Sequence, residues 1–140
     1  MDDAPISVLV ADDQLPFRKA ARAVLGAMAD FELVGEVASG EEAVSAAAML
    51  EPDLILMDVH MPGIGGIEAT RRIVGGRPAT TVILVSSYSA EDMAAAAVES
   101  GALAFLSKDQ FGARKLSELW SARAASRTPT GTRAQPSPGG

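Results

Sequence analysis

Short runs of β-branched and other apolar residues alternate along this chain with Ala-rich stretches whose apolar positions recur at helical spacing. Residues 6–11 (ISVLVA) predict a first strand. Pro16 suits the first turn of the helix that follows, where its missing N–H has no bond to lose, and that helix is expected to run to about Ala29. A second strand is expected within 31–38, and a helix over 40–50 that closes at Glu51-Pro52. Residues 54–57 (LILM) form a third, wholly apolar run, followed by a Gly- and Pro-rich loop over 58–66 and a helix over 67–74. Residues 81–85 (TVILV) predict a fourth strand. Ser89 and Asp92 have the spacing of a capping box, which predicts a helix over 90–100 that Gly101 stops. A short strand at 104–107 and a helix over 113–125, with Leu116, Leu119 and Trp120 inward, complete the series.

Five strand–helix units in strict alternation predict a parallel sheet covered by helices on both faces, joined by right-handed crossovers. The strands read as continuous apolar runs rather than alternating ones, as burial on both faces requires. In such α/β sheets ligands bind beyond the carboxyl ends of the strands.

Length and composition narrow the reading. The chain has 140 residues, 48% hydrophobic and 21% charged, which suits one globular domain. The absence of cysteine excludes disulfide scaffolds, thiolate metal sites and cysteine nucleophiles. Twelve basic against eighteen acidic residues give a net charge of −6, which argues against binding nucleic acid or an anionic membrane through a basic face. No apolar run reaches the roughly 18–20 residues of a membrane span, and the acidic start (MDDAP) is unlike a secretory signal, so a cytoplasmic location is expected. Residues 126–140 (SRTPTGTRAQPSPGG) lack any apolar period and read as a disordered tail or linker, which leaves 1–125 as the folded domain.

The polar residues that end the strands carry the chemistry. Strand one is followed by Asp12-Asp13, strand three by Asp58, strand four by Ser86-Ser87, and strand five ends in Ser107-Lys108. The fold brings all of these to one edge. Three crowded carboxylates repel one another, and a hard divalent cation such as Mg2+ is the natural remedy in a site that also receives a phosphoryl group. Lys108 can reach a phosphoryl oxygen and Ser86 offers a hydroxyl donor. Singly, each has a plainer reading: Asp13, just before a helix, could be an N-cap. Four coincidences at four strand ends favour a shared site.

The segments VLVADDQ, LILMDVHMPGIGGIEATRRI, VILVSS and GALAFLSKD resemble the receiver domain of two-component response regulators, over about residues 6–125. The DVHMPG block and the terminal LSKD are most similar to the NarL/FixJ subgroup, whose full-length members end in a LuxR-type helix-turn-helix. The resemblance implies a flavodoxin-like (CheY-like) doubly wound α/β fold, (βα)5, with strand order 2-1-3-4-5. It implies that Asp58 is the phosphoacceptor. Asp13 would ligate Mg2+ directly and Asp12 mainly through water, with the His60 backbone carbonyl and Asp58 as further ligands and Mn2+ as a substitute metal. Lys108 would hold the phosphoryl group, and Ser86 and Phe105 would switch with it. His60, Ser87 and Tyr88 would modulate its lifetime.

The function expected is a phosphorylation-operated switch, not an enzyme acting on other substrates, although it would catalyse its own phosphoryl transfer and dephosphorylation. Its partner would be a sensor histidine kinase or a histidine phosphotransfer protein. Dimerisation through the last helices is compatible with the resemblance, and this chain alone is expected to bind neither DNA nor membrane. Two alternatives belong to other classes. An aspartyl-phosphate phosphatase would carry a second acid two positions after the nucleophile, where this chain has His60. A phosphorylation-independent interaction module would have no need of the complete acidic set. Phe105 stands where tyrosine is commoner in the family, and Asp109 where many members have proline, so no cis peptide is expected there. Met57 and Met61 read as packing, and Gly63, Gly65 and Gly66 as the source of loop flexibility.

Overall fold

The structure, a computed structural model, describes residues 4–87 and 94–127. Strands and helices alternate as β1 (Ile6–Ala11), α1 (Leu15–Gly26), β2 (Phe31–Val37), α2 (Gly40–Leu50), β3 (Leu54–Asp58), α3 (Gly65–Gly76), β4 (Thr81–Ser86), α4 (Ala94–Ser100), β5 (Ala104–Ser107) and α5 (Ala113–Arg127), with a 3-10 turn at Lys108–Gln110. All strand pairs are parallel, in the order β2-β1-β3-β4-β5. The flavodoxin-like α/β class with order 2-1-3-4-5 is therefore the observed one.

Strand pleating divides the interior in two, because successive side chains leave opposite faces. Leu9 and Ala11, Ile55 and Met57, and Val82 and Leu84 face α2, α3 and α4 through Ala43, Ala47, Ala69, Ile73 and Ala97. Val8 and Val10, Leu54 and Leu56, and Ile83 and Val85 face α1 and α5 through Phe17, Ala21, Leu25 and Leu116. Leu119 and Trp120 pack against this second core as expected. Met57 and Met61 are buried in the first, as packing residues. The edge strand β2 is only partly buried, and its Glu32 is exposed.

Several boundaries differ from the sequence expectation. Helix α1 stops at Gly26 rather than near Ala29: the Ala27 N–H is shared between the Ala23 and Val24 carbonyls, and Met28 turns in against the second core. Strands β3 and β4 run one residue beyond their apolar runs, since the ladder continues through Asp58–Val85 and Ser86–Ser107. Helix α5 extends through Ser126 and Arg127, the first two residues of the segment read as a tail. The Ser89/Asp92 capping box, Tyr88 and residues 128–140 lie outside the described residues. Helix α2 is capped by Ser39, whose Oγ accepts the Glu42 N–H (3.1 Å), while Glu42 Oε1 accepts the Ala38 N–H (2.8 Å) just before the helix.

The glycines after β3 need correcting. Helix α3 begins at Gly65, so Gly66 belongs to the helix and not to a flexible loop. A Cβ at Gly66 would stand 1.9 Å from the Asp58 carbonyl oxygen and 3.0 Å from the Val59 Cα, both backbone atoms that cannot swing aside. Gly66 therefore permits close approach of α3 to the end of β3. The Gly66 N–H donates to the Val59 carbonyl (3.0 Å), and the Thr70 hydroxyl donates to the Gly66 carbonyl (2.8 Å). Gly63 and Gly65 have φ of +81°, the left-handed region that favours glycine.

Gly66→Ala is expected to destabilise the domain by at least about 1–3 kcal/mol through overpacking. Gly75→Ala, in the same helix with nothing within 4 Å of the added carbon, should stabilise it by about 0.5–1 kcal/mol. Urea unfolding of both variants checks the contrast, and equal effects would contradict it.

Candidate functional site

Strand pleating also delivers the polar residues to one place. Asp58 ends β3 two positions after Leu56, Asp12 follows Val10 by two, and Lys108 follows Leu106 by two. Each continues the series that faces α1 and α5, so the three side chains converge at the carboxyl edge of the sheet. Asp13 joins them from the β1–α1 turn. One carboxylate oxygen from each of Asp12, Asp13 and Asp58 lies within 4.8 Å of the others, a cluster that could hold a metal ion.

Burial of the cluster is uneven. Asp12 is fully buried and Asp58 is 4% exposed, whereas Asp13 is exposed. Asp12 Oδ1 accepts the Gln14 N–H at 2.8 Å, so Asp12 shapes the entry to α1. The plainer reading of Asp13 as a helix cap fails, because α1 has Gln14 at its N-cap and no side-chain cap bond. Lys108 Nζ lies 2.6 Å from Asp12 Oδ2 and 3.7 Å from Asp58 Oδ1. The shorter contact is a buried ion pair, and the Lys108 ammonium is the partner of Asp12 Oδ2 among the described residues. The Lys108 ammonium also sits 5.0 Å from the Phe17 ring centroid, and that ring packs on Phe111 at 5.2 Å. Gln110 Oε1 accepts the Ser107 N–H (3.1 Å) and fixes the turn that carries the lysine.

One ammonium does not balance three carboxylates. Burial, first, and the neighbouring Asp12 push the Asp58 carboxyl up to about 6, against the opposing pull of Lys108 and of the His60 backbone N–H that it accepts; Asp13 adds a smaller push. The Asp58 carboxylate is thus left short of positive charge.

Ser86 and Phe105 occupy the opposite face. Ser86 is 1% exposed at the end of β4, paired with Ser107, and follows Leu84 on the side of α3 and α4. Phe105 pairs with Leu84 and packs, half-buried, against the same core. His60 and Ser87 are exposed at the rim. Sequence reading missed three supporting groups. Arg18 Nη1 donates to the Asp12 carbonyl (2.8 Å), Glu36 on β2 holds Arg18, and Glu41 accepts the Ile64 N–H (3.3 Å) across the β3–α3 loop. A basic residue in a helix and an acid on an edge strand look solvated in one dimension, so no local signal marks these pairs.

Comparison with known proteins agrees with the geometry. The family model of the response regulator receiver domain matches residues 8–120. The transcriptional regulatory protein LiaR of Bacillus subtilis is 40% identical over 103 residues, which cover 74% of this chain and 49% of that protein. A protein-glutamate methylesterase/protein-glutamine glutaminase of Geobacter metallireducens is 37% identical over 107 residues, covering 75% of this chain and 31% of its own length. The crystal structure of a LuxR-family two-component response regulator from Aurantimonas sp. SI85-9A1 superposes with a TM-score of 0.77 at 27% identity, covering 96% of this chain and 91% of that one. The chain spans about half the length, or less, of the curated relatives it matches. With the matched region running through the acidic cluster and its lysine, the chain belongs to the response regulator receiver domain family of two-component signalling.

Proposed function

We propose that this domain accepts a phosphoryl group on Asp58 from the phosphohistidine of a sensor histidine kinase or a histidine phosphotransfer protein, and that the phosphorylated state alters the face formed by α4, β5 and α5. The observation that carries this reading is the surplus of buried negative charge around Asp58, beside a single lysine.

The residues fit a hard divalent cation. The donors are all oxygens, and the cluster holds two more negative charges than Lys108, paired with Asp12 Oδ2 at 2.6 Å, supplies. Asp13, Asp58 and the His60 carbonyl would hold Mg2+, or Mn2+ in its place, with Asp12 contributing mainly through water. Mg2+ bound there neutralises carboxylate and phosphoryl oxygens.

The protein's own part is positioning. An Asp58 oxygen attacks phosphorus as the phosphorus–nitrogen bond to the donor imidazole breaks, and the imidazole leaves with the electron pair and takes a proton. Lys108, already 3.7 Å from Asp58, follows the transferred charge. In the reverse discharge water attacks phosphorus, releasing inorganic phosphate and restoring the carboxylate. The Ser86 hydroxyl donates to a phosphoryl oxygen and shifts its strand end, and Phe105, two positions from Ser86's partner Ser107 on the same face, repacks in response. His60 and Ser87 at the rim govern water access. Receiver domains are signalling modules, and the two relatives carry different outputs in their names, so the response of this chain lies with a partner or a further domain. Among the described residues no helix is long and apolar enough to cross a membrane.

Incubation with acetyl phosphate and Mg2+ is expected to raise the intact mass by one phosphate, and Asp58→Ala should abolish the rise. Retention of the rise in that variant would overturn the assignment.

The raised Asp58 carboxyl has a stability consequence. A carboxyl that binds its proton more tightly in the folded than in the unfolded chain contributes stability fully present below about pH 4 and lost as pH rises toward and past 6. Without divalent cation, Asp58→Asn should therefore be more stable than the wild type above pH 6, by up to about 3 kcal/mol, with the difference fading below pH 4. Thermal melts in EDTA across this range test it; a variant less stable at pH 8 than the wild type would contradict it.

A further inference from the structure

Asp13, the exposed member of the cluster, must be oriented by its backbone, and that backbone is tied down from outside the site. The Asp12 N–H donates to the Val37 carbonyl at the end of β2 (3.0 Å). The Asp12 carbonyl accepts Arg18 Nη1 (2.8 Å). The same guanidinium donates through Nε to Glu36 Oε1 on β2 (3.2 Å), and Arg22 closes on Glu36 from the next turn of α1, its Nε 2.5 Å from Oε2 and its Nη2 2.9 Å from Oε1. Both Arg18 and Glu36 are half-buried.

A peptide unit is planar, so the direction of the Asp12 carbonyl sets the direction of the Asp13 N–H and restricts where the Asp13 side chain can lie. We infer that Arg18, braced by Glu36, is a positioning residue for the acidic site: it fixes the Asp12–Asp13 peptide plane and thereby aims the Asp13 carboxylate at the cation. The inference rests on the cation-binding reading of the site proposed above. Arg18 acts through its fork, one nitrogen on the strand acid and another on the carbonyl, a geometry that lysine cannot reproduce.

Electrostatics alone predicts the opposite sign. Arg18 is a positive charge beside a divalent-cation site, and removing it relieves like-charge repulsion, which would tighten binding. Loss of positioning would weaken binding instead, and outer-shell partners of metal ligands are typically worth roughly 10–100-fold in affinity. The sign therefore separates the two effects.

The test is calorimetric titration of Mg2+ into the full chain, comparing wild type with Arg18→Gln, Arg18→Lys, Arg22→Gln and Asp13→Asn, with circular dichroism confirming the fold. Arg18→Gln is expected to bind Mg2+ roughly tenfold more weakly. Arg18→Lys should also weaken binding although it keeps the charge and is the milder change for folding. Arg22→Gln, which leaves the Arg18 bond to Asp12 in place, should stay within about twofold of wild type because its exposed charge is screened. Unchanged or tighter binding in both folded Arg18 variants would overturn the inference while leaving the site reading intact. Absence of Mg2+ binding in the wild type, or binding that Asp13→Asn leaves unaltered, would instead overturn the site reading and the inference with it.

Discussion

Three carboxylates and one ammonium meet at the carboxyl edge of an apolar sheet, and this unequal count governs the chemistry of the domain. At separations of no more than 4.8 Å two unit charges interact by roughly 3.5 kcal/mol or more at an effective dielectric constant near 20. That is a sizeable part of the roughly 5–15 kcal/mol that holds a domain folded. The site cannot relax by spreading apart, because Asp12 and Asp58 extend strands whose preceding residues are wholly buried. The excess charge has to be met by a proton or a cation, which is why the Asp58 carboxyl holds its proton more tightly than an ordinary aspartate.

Much of the architecture was legible in the chain because burial on both faces writes itself as continuous apolar runs. LILM and TVILV read as strands buried on both faces, and both are wholly buried in the sheet; that β2, with Glu32 and Glu36 in it, is an edge strand comes from the structure. The convergence of Asp12, Asp58 and Lys108 was legible for a related reason: polar residues directly after such runs have only the strand edge to occupy. What escaped was geometry that depends on backbone meeting backbone. Gly66 looks like any loop glycine until the Asp58 carbonyl is found against it. The end of α1 was placed too late because Ala27, Met28 and Ala29 are individually good or neutral helix residues, and only the inward turn of Met28 against the second core draws the chain off.

The same distinction applies to the groups that support the site. Arg18 and Glu36 are eighteen residues apart, and nothing local links a helix arginine with a strand glutamate. Once β2 lies beside β1, the two meet above the Asp12 carbonyl, and the edge strand gains a part in the acidic pocket. The pocket is thus braced on one side by β2 through Arg18 and on the other by the Lys108–Gln110 turn after β5, while Gly66 closes α3 onto its floor. Ser86 ends β4 opposite Ser107, and Phe105 packs on the α3–α4 side of the sheet, so both sit at the strand ends next to the acidic edge.

The central claim is that buried negative charge, unmatched by Lys108, makes Asp58 an avid partner for positive charge. Carbon-13 NMR titration of the Asp side-chain carboxyls, with and without Mg2+, measures this directly. In the cation-free domain Asp58 should titrate near 6, and saturating Mg2+ should carry its titration down below the ordinary carboxylate range. An Asp58 that titrates like an exposed aspartate and ignores Mg2+ would contradict the account.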